Sequence, residues 1–130
     1  MTVRVFTNGC FDILHKGHIE LLAYCKSLGR VTVGLNSDES VKRLKGVSRP
    51  INTAEDRKRI LEALRYVDEV VIFQEDTPYD LIKELKPDLI VKGGDYAPNE
   101  VIGSDLCEVR IFNTLAGYST TSFINRIISK

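Results

Sequence analysis

Five short apolar runs, each parted from the next by a longer stretch of mixed polarity, constrain this chain more than any other feature. The runs are Val3–Thr7, Val31–Leu35, Glu69–Phe73, Leu89–Lys92 and Val109–Phe112, all rich in Val, Ile, Leu or Phe. Short continuous apolar segments of this kind suit strands buried on both faces. Between them the apolar residues recur at helical spacing. Gly17–Leu28 puts Leu21, Leu22, Cys25 and Leu28 on one face and stops at Gly29. Asn52 with Glu55 reads as a capping box opening a helix Thr53–Arg65, and Thr77-Pro78 opens Tyr79–Leu85 before Pro87. Ser119 or Thr120 caps a last helix to about Ile128.

Strands that alternate with helices form a parallel sheet through right-handed crossovers. The expected architecture is a single α/β domain over residues 1–130: a Rossmann-like, doubly wound, five-stranded parallel sheet with helices on both faces. With 43% hydrophobic residues in 130, the chain can bury a core without disulfides or a metal. Ligands of such sheets bind beyond the carboxyl ends of the strands. The chemistry is therefore sought in the loops there.

The only two histidines, His15 and His18, fall in His15-Lys16-Gly17-His18, just after Asn8-Gly9-Cys10-Phe11-Asp12. Spaced three apart at a helix start, they face one side, beside free N–H groups and the positive end of the helix dipole. That is an anion site, and imidazoles can donate to phosphoryl oxygens. A helix cap plus a surface histidine, or a metal pair with Asp12, are the competing readings.

Three further clusters reach the same edge. Lys42, Arg43, Lys45 and Arg49 make a basic stretch of weak helical character, read as a flexible loop able to close over a polyphosphate. In Lys92-Gly93-Gly94-Asp95-Tyr96 a strand ends in two glycines that permit close backbone approach. Gly117-Tyr118-Ser119-Thr120-Thr121 brings hydroxyls to a second helix N-terminus. Two helix N-termini and a basic loop match a nucleoside triphosphate.

The 18 basic and 18 acidic residues cancel, which excludes the global field of a nonspecific nucleic-acid binder. Cys10, Cys25 and Cys107 are scattered and odd in number, which suits a reducing cytoplasm and opposes a disulfide framework or zinc site. No signal peptide or membrane span is read, so a cytoplasmic protein without nucleic-acid or membrane partners is expected.

With its His-x-Gly-His signature at His15–His18 and its Ser-Thr-Thr run at Ser119–Thr121, the chain resembles the cytidylyltransferase-like nucleotidyltransferases over nearly its whole length. Within that family Thr7–His15, Asn36-Ser37-Asp38, Lys42–Gly46, Ser48-Arg49-Pro50, Glu75–Pro78 and Val91–Tyr96 look most like the adenylyltransferase domain of a bifunctional heptose-phosphate enzyme. The kinase half of that enzyme has no counterpart in these residues, which implies a stand-alone transferase. Arg65–Val70 also looks like glycerol-3-phosphate cytidylyltransferase, but Asn113-Thr114-Leu115-Ala116 offers no arginine before Gly117, which suits adenine better than cytosine.

The resemblance implies transfer of AMP from ATP to D-glycero-D-manno-heptose 1-phosphate, releasing pyrophosphate and giving ADP-heptose for surface polysaccharide. CTP with glycerol 3-phosphate, or GTP with a heptose phosphate, are the alternatives. An inactive nucleotide-binding regulator or a flavodoxin-like module are those from another class. His15, His18, Lys42, Lys45 and Arg49 would be catalytic. Asn8, Gly9, Cys10, Phe11, Lys92, Gly94, Asp95, Tyr118, Ser119 and Thr120, with both histidines, would bind the nucleotide. Asp12, Asn36, Asp38 and Arg49 would bind the acceptor, a sugar or polyol phosphate. Mg2+ would travel with the triphosphate, without protein ligands of its own. A homodimer is expected, with Arg65–Val71 as the contact.

Overall fold

The computed structural model describes residues 2–113 and 119–129. Its elements follow the expected alternation: β1 (Arg4–Gly9), α1 (Lys16–Leu28), β2 (Arg30–Asn36), α2 (Asp38–Lys45), α3 (Ala54–Glu62), β3 (Glu69–Phe73), α4 (Tyr79–Leu85), β4 (Leu89–Gly93), β5 (Glu108–Phe112) and α5 (Thr120–Ile128). The five strands form one sheet in the order β3-β2-β1-β4-β5. Every pairing is parallel.

Alternation along each strand sends neighbouring residues to opposite faces. Val5, Val31, Val33, Leu89 and Val91 pack with Leu21, Leu22 and Cys25 of α1 and Leu61 of α3. Phe6 and Ile90 point the other way, against Ile82 of α4 and Val101. Each buried Leu, Ile or Phe of these layers is worth roughly 1.5–3 kcal/mol relative to exposure. Helices thus cover both faces of the sheet.

Strand order reverses between β1 and β4, the switch point at which such sheets open a crevice. The register shows how it opens. β1 pairs with β2 from Arg4↔Arg30 through Gly9↔Leu35, whereas its ladder to β4 holds only Val5↔Leu89 and Phe6↔Ile90. Beyond Phe6 the two strands part, and Thr7 Oγ1 is left buried without a hydrogen-bond partner among the described residues.

Two expectations change. The basic stretch is not a flexible loop as far as Lys45: Lys42, Arg43 and Lys45 lie in the last turn of α2, where cations complement the helix dipole. Ser37 caps that helix, its Oγ accepting from Ser40 N at 3.1 Å, and Asp38 and Glu39 fill the first turn. The cap of α3 is Thr53, not Asn52, because Asn52 is taken by Asp12: its N–H donates to the carboxylate and its Nδ2 to the Asp12 carbonyl. α3 also ends at Glu62, three residues short of Arg65.

Candidate active site

At the carboxyl edge of β1 and β4 lies a cavity of about 930 Å³. That is the upper end of the range for ligand pockets, with room for two substrates. Its walls include Asn8, Gly9, Cys10 and Phe11 after β1, His15, Gly17 and His18 of α1, Lys92, Gly94 and Asp95 after β4, and Ser119 and Thr120 at α5. Asn36, Lys45 and Arg49 line it too. Most of the residues singled out by sequence therefore meet around one space.

The histidines sit in an aromatic stack. His15 is the N-cap of α1, and its Nδ1 accepts from Gly17 N at 3.1 Å. A ring that accepts at Nδ1 carries its proton at Nε2 when neutral. His18 stacks on His15 with centroids 3.9 Å apart, Phe11 tilts against His18 at 5.0 Å, and Phe123 of α5 stacks on His15 at 5.4 Å. Burial, reinforced by the neighbouring His15, pushes His18 down to about 4. Burial also lowers His15. Both rings are therefore neutral donors at neutral pH, and His18 Nδ1 is buried with no hydrogen-bond partner among the described residues.

Phe11 reaches this stack through a left-handed backbone, φ 46°, so the turn after β1 is strained to place its ring. Thr120 fastens the far wall, its Oγ1 donating to the Ile13 carbonyl at 3.1 Å. Ser119 caps α5 by accepting from Ser122 N at 3.0 Å, so two helix N-termini face the same space.

Across the cavity the wall is charged. Burial and then the Lys45 charge push the Lys92 ammonium below its usual value, although Cys10 offsets part of this. Lys92 Nζ lies 5.5 Å from the Tyr96 ring centroid. Gly94 has φ 123°, and a Cβ there would come within 2.8 Å of the Tyr96 ring, so only glycine fits this turn. Burial raises the Cys10 thiol against the opposing charges of Lys45, Arg57 and Arg49. Cys10 is a wall residue held as a thiol.

The structure does not bring Asp12, Asp38 or Lys42 to the cavity wall. Asp12 was expected to hold acceptor hydroxyls. It is buried instead, accepting from Arg49 Nε at 2.9 Å and from the N–H groups of Ile51 and Asn52. Asp38 caps Ala54 N and pairs with Arg57, both at 2.8 Å, while Lys42 is exposed on α2. Tyr118 lies outside the described residues.

Sequence reasoning missed Arg57. Its side chain is wholly buried and donates to the carbonyls of Cys10 and Asn36 at 2.8 Å, to the carbonyl of Asn52 at 2.9 Å and to Asp38. One guanidinium thus ties the turn after β1 to the end of β2 and the start of α3. The signal was a cation on the apolar face of α3, in the row Ala54, Arg57, Leu61. Asp76, Thr77, Pro78, Glu100, Val101 and Ile102, also on the wall, were missed as site residues as well.

A cytidylyltransferase-like family model matches residues 6–128. The bifunctional protein HldE of a Nitratiruptor species is 59% identical over 127 residues, 96% of this chain and 28% of that protein. HldE of Campylobacter concisus is 58% identical over 125 residues, 95% of this chain and 26% of the relative. The chain thus spans little more than a quarter of these relatives. Among solved structures, the lipopolysaccharide core biosynthesis protein of Thermoplasma volcanium is 30% identical with a TM-score of 0.73, covering 88% of this chain and 98% of that one. A macrolide-efflux protein of Streptococcus pneumoniae, 21% identical with a TM-score of 0.65 over 98% of this chain and 52% of that one, shares the fold alone.

Proposed function

Since this chain belongs to the cytidylyltransferase-like family, we propose that it transfers AMP from ATP to D-glycero-D-manno-heptose 1-phosphate, releasing pyrophosphate and forming ADP-heptose for surface polysaccharide. The observation that carries the reading is the stacked His15–His18 pair at the start of α1, facing a cavity whose other wall holds Lys45, Arg49 and Lys92. The relatives named above support this reading. HldE is a bifunctional protein matched over about a quarter of its length, and the T. volcanium protein is named for lipopolysaccharide core synthesis.

The attacking sugar-phosphate oxygen is ionised at neutral pH, so no general base is needed. Catalysis then comes from positioning and from stabilising charge on the α-phosphoryl and leaving pyrophosphate oxygens. His15 and His18 donate to the α- and β-phosphates, and the backbone at Cys10 and Phe11 holds the α-phosphate. Ser119 and Thr120 with the α5 N-terminus hold further phosphate oxygens, while Lys92, Gly94 and Asp95 frame the nucleoside. Mg2+ would be carried by the triphosphate through its phosphate oxygens and would screen its charge. The chain acts as one transferase domain in the cytoplasm, as a homodimer through Arg65–Val71. Among the described residues, no helix is long and apolar enough to cross a membrane.

The test is pyrophosphate release with Mg2+, crossing ATP, CTP and GTP with both anomers of heptose 1-phosphate and with glycerol 3-phosphate. Release from ATP with a heptose 1-phosphate, abolished in His15→Ala, is expected. Release only from CTP with glycerol 3-phosphate overturns the assignment.

A further inference from the structure

Asp12 follows the phosphate-binding turn directly, yet it is the anchor of a different segment. Its side chain is completely buried and its two oxygens receive Arg49 Nε at 2.9 Å, Ile51 N at 2.8 and 3.0 Å, and Asn52 N at 2.9 Å. Asn52 Nδ2 returns a bond to the Asp12 carbonyl at 2.8 Å. Residues 49–52, the strap between α2 and α3, are thereby sewn to the turn after β1 across nearly forty positions of sequence.

The pairing leaves Arg49 in a specific state. Its side chain is 11% exposed and lines the cavity, but only Nε is bonded among the described residues. A guanidinium held at Nε by a buried carboxylate cannot swing, and its two terminal amino groups remain as a planar fork suited to one phosphate. Lys45 and Lys92 line the same cavity, and Cys10 beside them feels the charges of both Lys45 and Arg49.

In-line transfer requires the attacking and leaving oxygens on opposite sides of the α-phosphorus. The histidines and the two helix N-termini occupy the triphosphate side. With Lys92 framing the nucleoside, Lys45 and Arg49 are left for the second phosphate. We propose that Asp12 is a positioning residue that fixes Arg49 as the fork holding the phosphate of the acceptor, a sugar 1-phosphate. This rests on the transferase reading above. Asp12 therefore acts on acceptor binding through Arg49, not by touching sugar hydroxyls.

The test is calorimetric binding to the full chain of ATP and, separately, of D-glycero-β-D-manno-heptose 1-phosphate. Wild type is compared with Arg49→Ala, Asp12→Asn and the double variant, each checked for folding by circular dichroism. Arg49→Ala is expected to weaken sugar-phosphate binding about tenfold or more and ATP binding by less than about threefold. Asp12→Asn, which keeps the side-chain shape but not the charge, is expected to weaken sugar-phosphate binding about three- to tenfold in the wild-type background. It should add no more than about twofold in the Arg49→Ala background.

The proposal is overturned if ATP binding falls as much as sugar-phosphate binding, if the Asp12→Asn loss persists undiminished without Arg49, or if wild type binds ATP and no sugar phosphate. Should Asp12→Asn not fold, Arg49→Lys decides: it keeps the charge without the fork, and full retention of sugar-phosphate binding overturns the proposal. A wild type that binds both substrates with the expected pattern yet releases no pyrophosphate fails the assigned reaction and leaves this subsite standing.

Discussion

The two walls of the crevice differ in how their electrostatics are set. On the α1 side, His15 and His18 are stacked at 3.9 Å between Phe11 and Phe123, and burial keeps both rings neutral. On the strap side, Arg49 is held by the buried Asp12 carboxylate at 2.9 Å. The histidine wall can therefore change its charge when an anion meets it, whereas the Arg49 fork is set before any ligand binds. A buried neutral imidazole beside new negative charge gains a proton, and an arginine has none to gain.

The division breaks most visibly at the histidines. His18→Ala is expected to lower kcat about 10²- to 10³-fold, the cost of removing one donor to developing phosphoryl charge, as read by steady-state pyrophosphate release. A loss below about threefold would make the histidine wall a structural stack only. Next in size, Arg57→Ala should destabilise the fold by about 3–5 kcal/mol in urea denaturation. It strips the partner from Asp38 and leaves the carbonyls of Cys10, Asn36 and Asn52 without this donor. An unchanged midpoint would contradict its role as the tie between β1, β2 and α3.

pH sharpens the same contrast. The folded-state value of His18, about 4, lies below the ordinary 6.5, so the unfolded chain takes up the proton first. Its contribution to stability is full above pH 6.5, falls as the pH drops toward 4, and amounts to on the order of 2–3 kcal/mol across that window. Asp12 shifts the same way for a different cause and in a different window. Burial alone would raise it, but the Asn52 and Ile51 N–H groups and Arg49 outweigh burial and hold it below its usual 3.8. Its contribution persists through the histidine window and is lost only in stronger acid, as the pH falls through that lowered value. Denaturation midpoints from pH 7.5 to 4 should fall in wild type and flatten in His18→Asn. ATP binding near neutral pH should also take up a proton, seen by calorimetry in buffers of different ionisation enthalpy. The smallest effect belongs to Arg43→Ala, which removes an exposed pair with Asp76 at 2.6 Å and an exposed bond to the Gln74 carbonyl at 2.5 Å and should cost about 1 kcal/mol or less.

The histidine wall was readable in the sequence because it is local. An apolar strand, the turn Asn8–Phe11, the pair His15 and His18 and the stop at Gly29 occupy one continuous stretch, and the structure folds that stretch as β1 and α1. The strap was not. α2 carries only Ser40 and Val41 as buried residues, so its apolar period is faint and its cations read as a loop. Ser37-Asp38-Glu39, a cap followed by first-turn acids, was the signal present but unused. The pairings that define the strap join residues 37 and 47 positions apart, Asp12 with Arg49 and Cys10 with Arg57. No local spacing encodes them. Asp12 therefore read as a free carboxylate at the ligand edge, although in the fold it is the buried counterion of the wall.

The central claim, that an acceptor phosphate oxygen on the strap side displaces pyrophosphate from a nucleotide held on the histidine side, is tested most directly by isotope. The enzyme would turn over ATP with heptose 1-phosphate carrying ¹⁸O in its phosphate oxygens, with mass spectrometry of both products. Labelled ADP-heptose, including the bridging oxygen, and unlabelled pyrophosphate are expected. Label in pyrophosphate, or ADP released without a labelled nucleotide sugar, would contradict it.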